Sequence, residues 1–451
     1  MSIIQPSPIS GFPEFLPAEQ IVFNRALHLI RENFELFGFS PIETPAVERV
    51  DILTAKGGVD SKEIYTLHRL AAEEGEESDT GLALHFDVTV PLARYVAHHH
   101  GKLIFPFRRY QIQPVWRGER PQAGRYRQFY QCDFDVIGDG EISLQHDAEM
   151  PAIMYHIFKK MQIGSFTIRI NNRKILCGYL ESLGIGTQDL VEEATRIVDA
   201  MLKVGTDRTL AALEKIGLDS DKAVSMMIFF RQELDSDAWI AHLKDMSVGD
   251  TFDEGVCELE EVVRSVRAMG VPEDCFCVDP SLARGLGYYT GTIYEARLND
   301  NPGIGSICGG GRFDNLASNY TTKKLPGVGA SIGLTRLIPR LIEKEIMKVG
   351  AATAAPVLIT SMDQGKLGEY LHFGTTLRDA GIKTEVFLEP KKFNVQMKYA
   401  NRKGFTVVII AGDEEFASSS VVVKNLQTGQ QETVTIDKMV GIVQCYLNSI
   451  H

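Results

Sequence analysis

No run in this 451-residue chain approaches the ~20 consecutive apolar residues that a bilayer span requires. The opening MSIIQPSPISGFPEF has no basic patch ahead of an apolar block, so no secretory signal is expected. Cysteine is scarce. The seven residues (Cys132, Cys177, Cys257, Cys275, Cys277, Cys308 and Cys445) are scattered and odd in number. Only Cys275 and Cys277 are close, and that spacing lacks a second ligand pair, so inert or structural thiols in a reducing compartment are expected. Neither HExxH nor a Cys/His ligand spacing occurs, which argues against a protein-bound structural metal. No GxxxxGK[ST] loop is present, and no GxGxxG opens a convincing βαβ unit, so any nucleotide is held by neither common phosphate loop. No Ser-His-Asp or Cys-His set is recognisable. The net charge of −12 excludes a generally basic coat, so a nucleic-acid partner must meet a local basic surface.

What is present is globular in proportion: 44% hydrophobic and 24% charged residues, at a length that suggests two or three domains. Apolar residues from Phe15 to Phe37 recur at helical spacing over 14–37, and Gly38 stops the helix. A turn and short strand follow in GFSPIETPAVERVDIL. Residues 69–80 read as an acidic surface loop. Strand-like runs recur at Leu82–Phe86, Leu103–Phe107, Tyr110–Trp116, Phe129–Ile137 and Phe166–Ile170. Scattered among helices, they fit an α+β domain with an antiparallel sheet. From 185 to 268 strand signals vanish and a helical insertion is expected. Strands return at Cys275–Val278 and Thr292–Ala296, and a helix at 334–347 leads into a linker, VGAATAAP. Beyond it, PVLITS, 365–380, KTEVFL, 393–403 and TVVIIA alternate strand and helix. This predicts a small α/β domain with a largely parallel sheet, ending in a hairpin that turns at Thr428-Gly429.

Three segments carry candidate chemistry. In RGERPQAGRYRQFYQCDFDVIG (117–138), four arginines fall within eleven residues between two strands. Arg125, Gln131 and Asp135 share strand parity and are expected on one face. Guanidinium, amide and carboxylate together suit a ligand with an anionic end and a hydrogen-bonding or cationic end. A solvated charged hairpin is the alternative. In ARGLGYYTGTIYEA (283–296), glycines around Arg284 leave room for a ligand, and Tyr288 and Tyr289 offer hydroxyls. SICGGGRFDNL follows, where Gly309–Gly311 allow close backbone approach. The third, PGVGASIGLTRL (326–337), ends a helical run in Arg336, and the bland alternative there is a packing turn. HFDVTVP places Asp87 and Thr89 on one predicted strand face. His98–His100 read as a solvated face rather than a metal tract. KKFNVQMKYANRKG (391–404) puts five basic residues and two aromatics on a helix that suits nucleic acid or solvent equally.

Together these segments resemble the histidyl-tRNA synthetase family from about residue 10 to 440. GFSPIETPAVE is similar to class II motif 1, whose strand lies in that family's dimer interface. RGERPQAGRYRQFYQCDFDVIG is similar to motif 2, GVGASIGLTRL to motif 3, and ARGLGYYTGTIYE to the family's own signature. The resemblance implies an α+β class II catalytic domain in two parts, 1–184 and 269–348. A helical insertion at 185–268 separates them, and an α/β anticodon-binding domain spans 356–451. It implies activation of L-histidine with Mg²⁺·ATP and transfer to tRNA(His) by a cytoplasmic homodimer. By the same resemblance, Asp87 and Thr89 with Gln131 hold the amino group, and Val88 belongs to the histidine site. Asp135 and Tyr289 read the imidazole, and Tyr288 lines the pocket. Arg117 and Arg284 are the catalytic arginines at the α-phosphate and carboxylate. Arg125 and Arg336 hold ATP, and Gln122 faces the tRNA acceptor end.

The chain departs from the family pattern at Gly287 and Thr335, usually acidic, and at His85, commonly Arg. Asp87 and Asp135 stand where many members have Glu. The rival function is a non-catalytic paralogue acting as a regulatory subunit of ATP phosphoribosyltransferase. Such a protein usually lacks the anticodon domain and erodes the motif 2 and 3 arginines. A synthetase for another amino acid and a non-catalytic nucleic-acid binder are further alternatives.

Overall fold

The computed structural model describes residues 3–55, 61–69, 81–120, 124–283 and 289–449. Contacts divide the chain into two compact units, one of residues 1–13 and 26–347, the other of 14–25 and 348–451.

In the first unit the strands are β1 (Ser40–Pro41), β2 (Val47–Arg49), β3 (Leu82–Leu84), β4 (Phe107–Trp116), β5 (Gln128–Ile137), β6 (Phe166–Asn172), β7 (Phe276–Val278), β8 (Thr292–Leu298), β9 (Ser306–Phe313) and β10 (Gly327–Gly333). Eight of them form one sheet in the order β1-β4-β5-β10-β9-β8-β6-β7, and β2 pairs with β3 apart from it. The expected antiparallel sheet is present, with parallel pairing only where the edge strands β1 and β7 join β4 and β6. One sheet face is apolar and covered by helices. Phe134 of β5 meets Phe34 of the helix Pro17–Leu36 at 4.9 Å between ring centroids. Asp147 of the helix Gln145–Met161 is fully buried and takes the Arg312 guanidinium of β9 in two hydrogen bonds of 3.1 and 2.7 Å. The opposite face carries the candidate site.

Two local expectations are corrected. The runs at 103–107 and 110–116 are not separate strands. Residues 103–106 precede a single strand, Phe107–Trp116. HFDVTVP is not strand either. Asp87 lies in the turn before the helix Thr89–His99, where its carboxylate accepts the Val90 N–H at 3.1 Å. An acidic side chain satisfies an orphan N–H of the first turn more readily than it pairs in a ladder.

Between β6 and β7 the described chain is helical. Helices Arg173–Ser182, Gln188–Val204, Thr206–Lys215, Ser220–Phe230, Ser236–Met246 and Asp250–Ala268 follow one another. Asn172, Asp219 and Asp235 cap three of them by accepting backbone N–H groups. Tyr179, Phe229 and Trp239 form the aromatic centre of this helical segment.

The second unit holds β11 (Val357–Ile359), β12 (Thr384–Val386), β13 (Val407–Ile410), β14 (Ser420–Asn425) and β15 (Gln431–Thr435), ordered β12-β11-β13-β14-β15. The first three are parallel and the last two close an antiparallel hairpin. Gly429 turns that hairpin at φ +77°.

Thr335 has a structural task. β10 ends at Gly333, so β5 loses its neighbour there, and the Thr335 hydroxyl accepts the Tyr130 N–H at 2.8 Å instead. Thr335→Val is expected to cost about 1 kcal/mol, the usual worth of such a bond. A shift in the denaturation midpoint with an unchanged m-value checks this. An unshifted midpoint would mean that solvent replaces the hydroxyl.

Candidate functional site

Strand parity builds the site. On β4, Arg109, Gln111 and Gln113 point to one face and are all buried. Opposite them in register on β5 stand Asp135, Asp133 and Gln131. The next strand, β10, sets Gly329, Ser331 and Gly333 beside those three. β9 continues with Gly311 and Gly309 beside Gly329 and Ser331. Two rows of large polar side chains therefore border two rows of small residues, which leaves a trough. Gly329 is required there, because a Cβ on it would lie 2.1 Å from Asp135 Oδ1.

The trough is a pocket of about 100 Å³ lined by Asp87, Thr89, Arg117, Gln131, Asp135 and Tyr289, together with Asp133 and Ser331. It adjoins a cleft of about 570 Å³ whose lining includes Arg117, Arg125, Gln131, Tyr289 and Arg336. The structure thus gathers six of the expected residues in the pocket and brings the arginines of two separate segments to the cleft. Val88 is fully buried between Asp87 and Thr89. Arg284, Tyr288 and Gln122 lie outside the described residues, as does Gly287. Arg125 precedes β5 rather than belonging to it, so strand parity does not place it. It reaches the cleft from the loop and pairs with Glu119 at 3.3 Å.

Arg117 stands where pocket and cleft meet. Its Nε–H donates to the Phe86 carbonyl at 3.0 Å, and its guanidinium lies 5.1 Å from the centre of the Phe129 ring. Arg336 approaches the arginine-rich loop, with a Cβ on Gly124 only 3.4 Å from its Nε. The pocket is acidic, and its carboxylates are buried. Burial pushes the Asp87 carboxyl up to about 6, against the pull of the Val90 N–H and Arg117. Burial also raises Asp135 to about 7, with Arg109 opposing and Asp133 and Asp87 adding to the rise. Asp133 is raised by burial as well. Among the described residues, Asp87 Oδ2 and Gln131 Oε1 are buried acceptors without a hydrogen-bond partner. Such a pocket fits a ligand that brings cationic or N–H donors, and the arginine cleft fits phosphate oxygens. Burial raises the nearby thiols Cys132 and Cys308 well above their ordinary range, so neither is an activated nucleophile.

The sequence reading missed Arg109, Gln111, Gln113 and Asp133. A polar residue at every second position of a strand otherwise apolar enough to be buried was the signal available for the first three. His85, where the family commonly has Arg, is buried with its Nε2 2.8 Å from the Pro114 carbonyl oxygen. His98–His100 belong to no metal cluster among the described residues.

A small acidic pocket opening into an arginine-lined cleft on a largely antiparallel sheet, in a chain that also carries a separate α/β unit, fits a class II aminoacyl-tRNA synthetase. The family model described as "Histidyl-tRNA synthetase" matches residues 11–337, and that described as "Anticodon binding domain" matches 357–446. The chain is 45% identical to Histidine--tRNA ligase of Xanthomonas axonopodis pv. citri, over 99% of this chain and 97% of that one. It is 43% identical to Histidine--tRNA ligase of Clostridium tetani, over 98% and 99%. The crystal structure of histidyl-tRNA synthetase from Nostoc sp. PCC 7120 superposes with a TM-score of 0.89 at 40% identity, covering 98% of this chain and 99% of that one. The chain belongs to the histidyl-tRNA synthetase family.

Proposed function

We propose that this protein is a histidine–tRNA ligase whose amino-acid site is the acidic pocket and whose ATP site is the arginine cleft. The observation that carries this assignment is the position of Arg117, which lines both cavities at their junction. A substrate carboxylate and an α-phosphate have to meet at such a point. In the first step a histidine carboxylate oxygen attacks the α-phosphorus of ATP, forming the adenylate as pyrophosphate leaves. In the second, the 3′-terminal ribose hydroxyl of tRNA(His) attacks the activated carbonyl and AMP leaves. Charge gathers on phosphoryl oxygens, so fixed cations suffice and no protein nucleophile is needed.

Asp87, Thr89 and Gln131 hold the ammonium group, and Asp135 with Tyr289 takes the imidazole. Arg125 and Arg336 hold the ATP tail. Arg284, Tyr288 and Gln122 keep the roles that the family resemblance gives them. Mg²⁺ enters with ATP. No group of three carboxylate, His or Cys side chains able to cage a metal occurs among the described residues, while Glu119 lines the cleft and offers one carboxylate. That fits an ion carried mainly by substrate phosphates. The second unit is assigned to the anticodon. Its helix Phe393–Lys403 exposes Lys391, Lys392, Lys398 and Arg402 at or near its ends and sides, while Lys403 is tied to Glu385 at 3.0 Å. A homodimer built on the GFSPIETPAVE strand and a cytoplasmic location complete the proposal; among the described residues no helix is long and apolar enough to cross a membrane. The regulatory-paralogue alternative is disfavoured by Arg117, Arg125 and Arg336, which all line the cleft. ATP–pyrophosphate exchange with each of twenty amino acids tests the assignment. Histidine-dependent exchange alone is expected, and exchange with none, from folded protein, would point to the paralogue.

The pocket carboxylates give the activity an acid limb. Their folded-state values, about 6 for Asp87 and about 7 for Asp135, lie above the ordinary carboxylate value because of burial. Ligand-free protein therefore binds more protons folded than unfolded between about pH 4 and 7. These two groups accordingly make it more stable as pH falls from 8 to 6. Histidine binding needs both as carboxylates and has the opposite trend. Calorimetric titration should show roughly twentyfold weaker histidine binding at pH 6 than at pH 8. A pH-independent dissociation constant would show that the pocket is already ionised at pH 6.

A further inference from the structure

Arg109 is among the largest fully buried side chains of the described residues, and it stands in register with Asp135, which lines the amino-acid pocket. Its Nη2 sits 2.6 Å from Asp135 Oδ2, and its Nη1 donates to Gln111 Oε1 at 3.4 Å. The Gln111 amide in turn donates to Thr44 Oγ1 at 2.8 Å, so a buried polar chain holds the guanidinium from behind. On its other side the Asp135 carboxylate is fitted against Gly329, where no Cβ has room. Asp135 is therefore flanked by an arginine on β4 at ion-pair distance and a glycine on β10, its two neighbours in the sheet.

We propose that Arg109 is a positioning residue of the amino-acid pocket: as the buried counter-ion of Asp135 and Asp133, it keeps the Asp135 carboxylate aimed and charged to accept the substrate imidazole N–H. This rests on the ligase assignment above. The charged groups facing Asp135 are Arg109 from β4, Asp133 from its own strand and Asp87 from the turn before the helix Thr89–His99, and from β10 only Gly329 and Ser331 face it. With Arg109 removed, three buried carboxylates would share the pocket, with Arg117 the one cation among the described residues that line it. Like charges confined this way take up protons, and a protonated Asp135 is no longer an obligate acceptor. A purely structural ion pair would be indifferent to which substrate is bound. One that sets the ring-reading carboxylate acts on histidine and leaves ATP alone.

The test is steady-state ATP–pyrophosphate exchange between pH 6 and 9 with full-length wild type, Arg109→Met and Arg109→Lys. Arg109→Met should raise KM for histidine roughly 100-fold, the scale of breaking a buried pair, with KM for ATP changed by less than about twofold. Its acid limb in kcat/KM for histidine should move up by at least about one pH unit. Arg109→Lys keeps the charge but not the fork. It should recover most of the acid limb and leave KM for histidine raised about tenfold. Equal rises in both KM values, or an acid limb that stays in place in Arg109→Met, would overturn the proposal. If Arg109→Met does not fold, a wild-type histidine KM in Arg109→Lys would overturn it equally. Absence of histidine exchange in the wild type would remove the ligase assignment and this inference together. Normal wild-type exchange with unmoved variants would remove this inference alone.

Discussion

Arg117→Ala is expected to lower kcat for histidine-dependent pyrophosphate exchange by roughly 10²–10³-fold, the loss typical of one preorganised donor at a developing charge. The side chain is held before substrate arrives, by the Phe86 carbonyl on its Nε and by the face of Phe129. It therefore loses little freedom when negative charge builds on the phosphoryl oxygens. Lysine is no remedy, since one ammonium cannot both donate to Phe86 and span a carboxylate and a phosphate, so Arg117→Lys should recover less than a tenth of the activity, an order-of-magnitude expectation. KM for histidine should rise more modestly, because the substrate carboxylate loses one partner while its ammonium and ring keep theirs. Single-turnover adenylate formation measures the effect directly. A rate within tenfold of wild type would move the main phosphoryl contact to another arginine of the cleft.

How far the sequence disclosed this arrangement depended on whether a residue's role was local. The β4–β5 pair announced itself through two runs of strand-forming residues either side of an arginine-rich loop, and the parity of Gln131 and Asp135 was right because β5 is regular from 128 to 137. The helical insertion and the alternating second unit were equally plain, since both are written in periodicity. Asp87 and Thr89 were placed together but on a strand, when a turn and a helix start bring them there. Periodicity over seven residues cannot separate those cases; what decides them is a local bond, the Asp87 carboxylate accepting the Val90 N–H. Asp133 lay inside the segment quoted for its chemistry and was passed over, although it has the parity of its neighbours. Arg109 was illegible for a stronger reason. Its meaning comes from register with Asp135, some two dozen residues on, and from a glycine on a third strand. Which residue stands opposite which is a property of the folded sheet, and one step of slippage would have turned Arg109 to the apolar face.

Asp135→Asn is expected to cut kcat/KM for histidine by about 10²–10⁴-fold, the scale of 3–5 kcal/mol for removing one partner of a buried charge-assisted contact. The substitution changes almost no volume, so the loss is electrostatic. An amide beside Arg109 turns its oxygen to the guanidinium and leaves its NH₂ toward the pocket. The imidazole N–H then meets a donor, which penalises the bound state rather than merely weakening it. Stability should suffer less than activity. Asp133 stands on the same face, and the Arg109 charge opposes the rise that burial gives its carboxyl, so the guanidinium keeps a second anion nearby. The substrate ring has no such substitute. With Asp135 gone, the acid limb should also fall from near 7 toward the value of about 6 set by Asp87. KM for ATP should stay within about twofold, because the cleft arginines are untouched. Thermal denaturation beside the pH-resolved exchange kinetics separates these effects. A large drop in melting temperature with a proportionate loss for both substrates would mean that Asp135 serves the sheet rather than the ligand, and an acid limb that stays at 7 would assign that titration to Asp133.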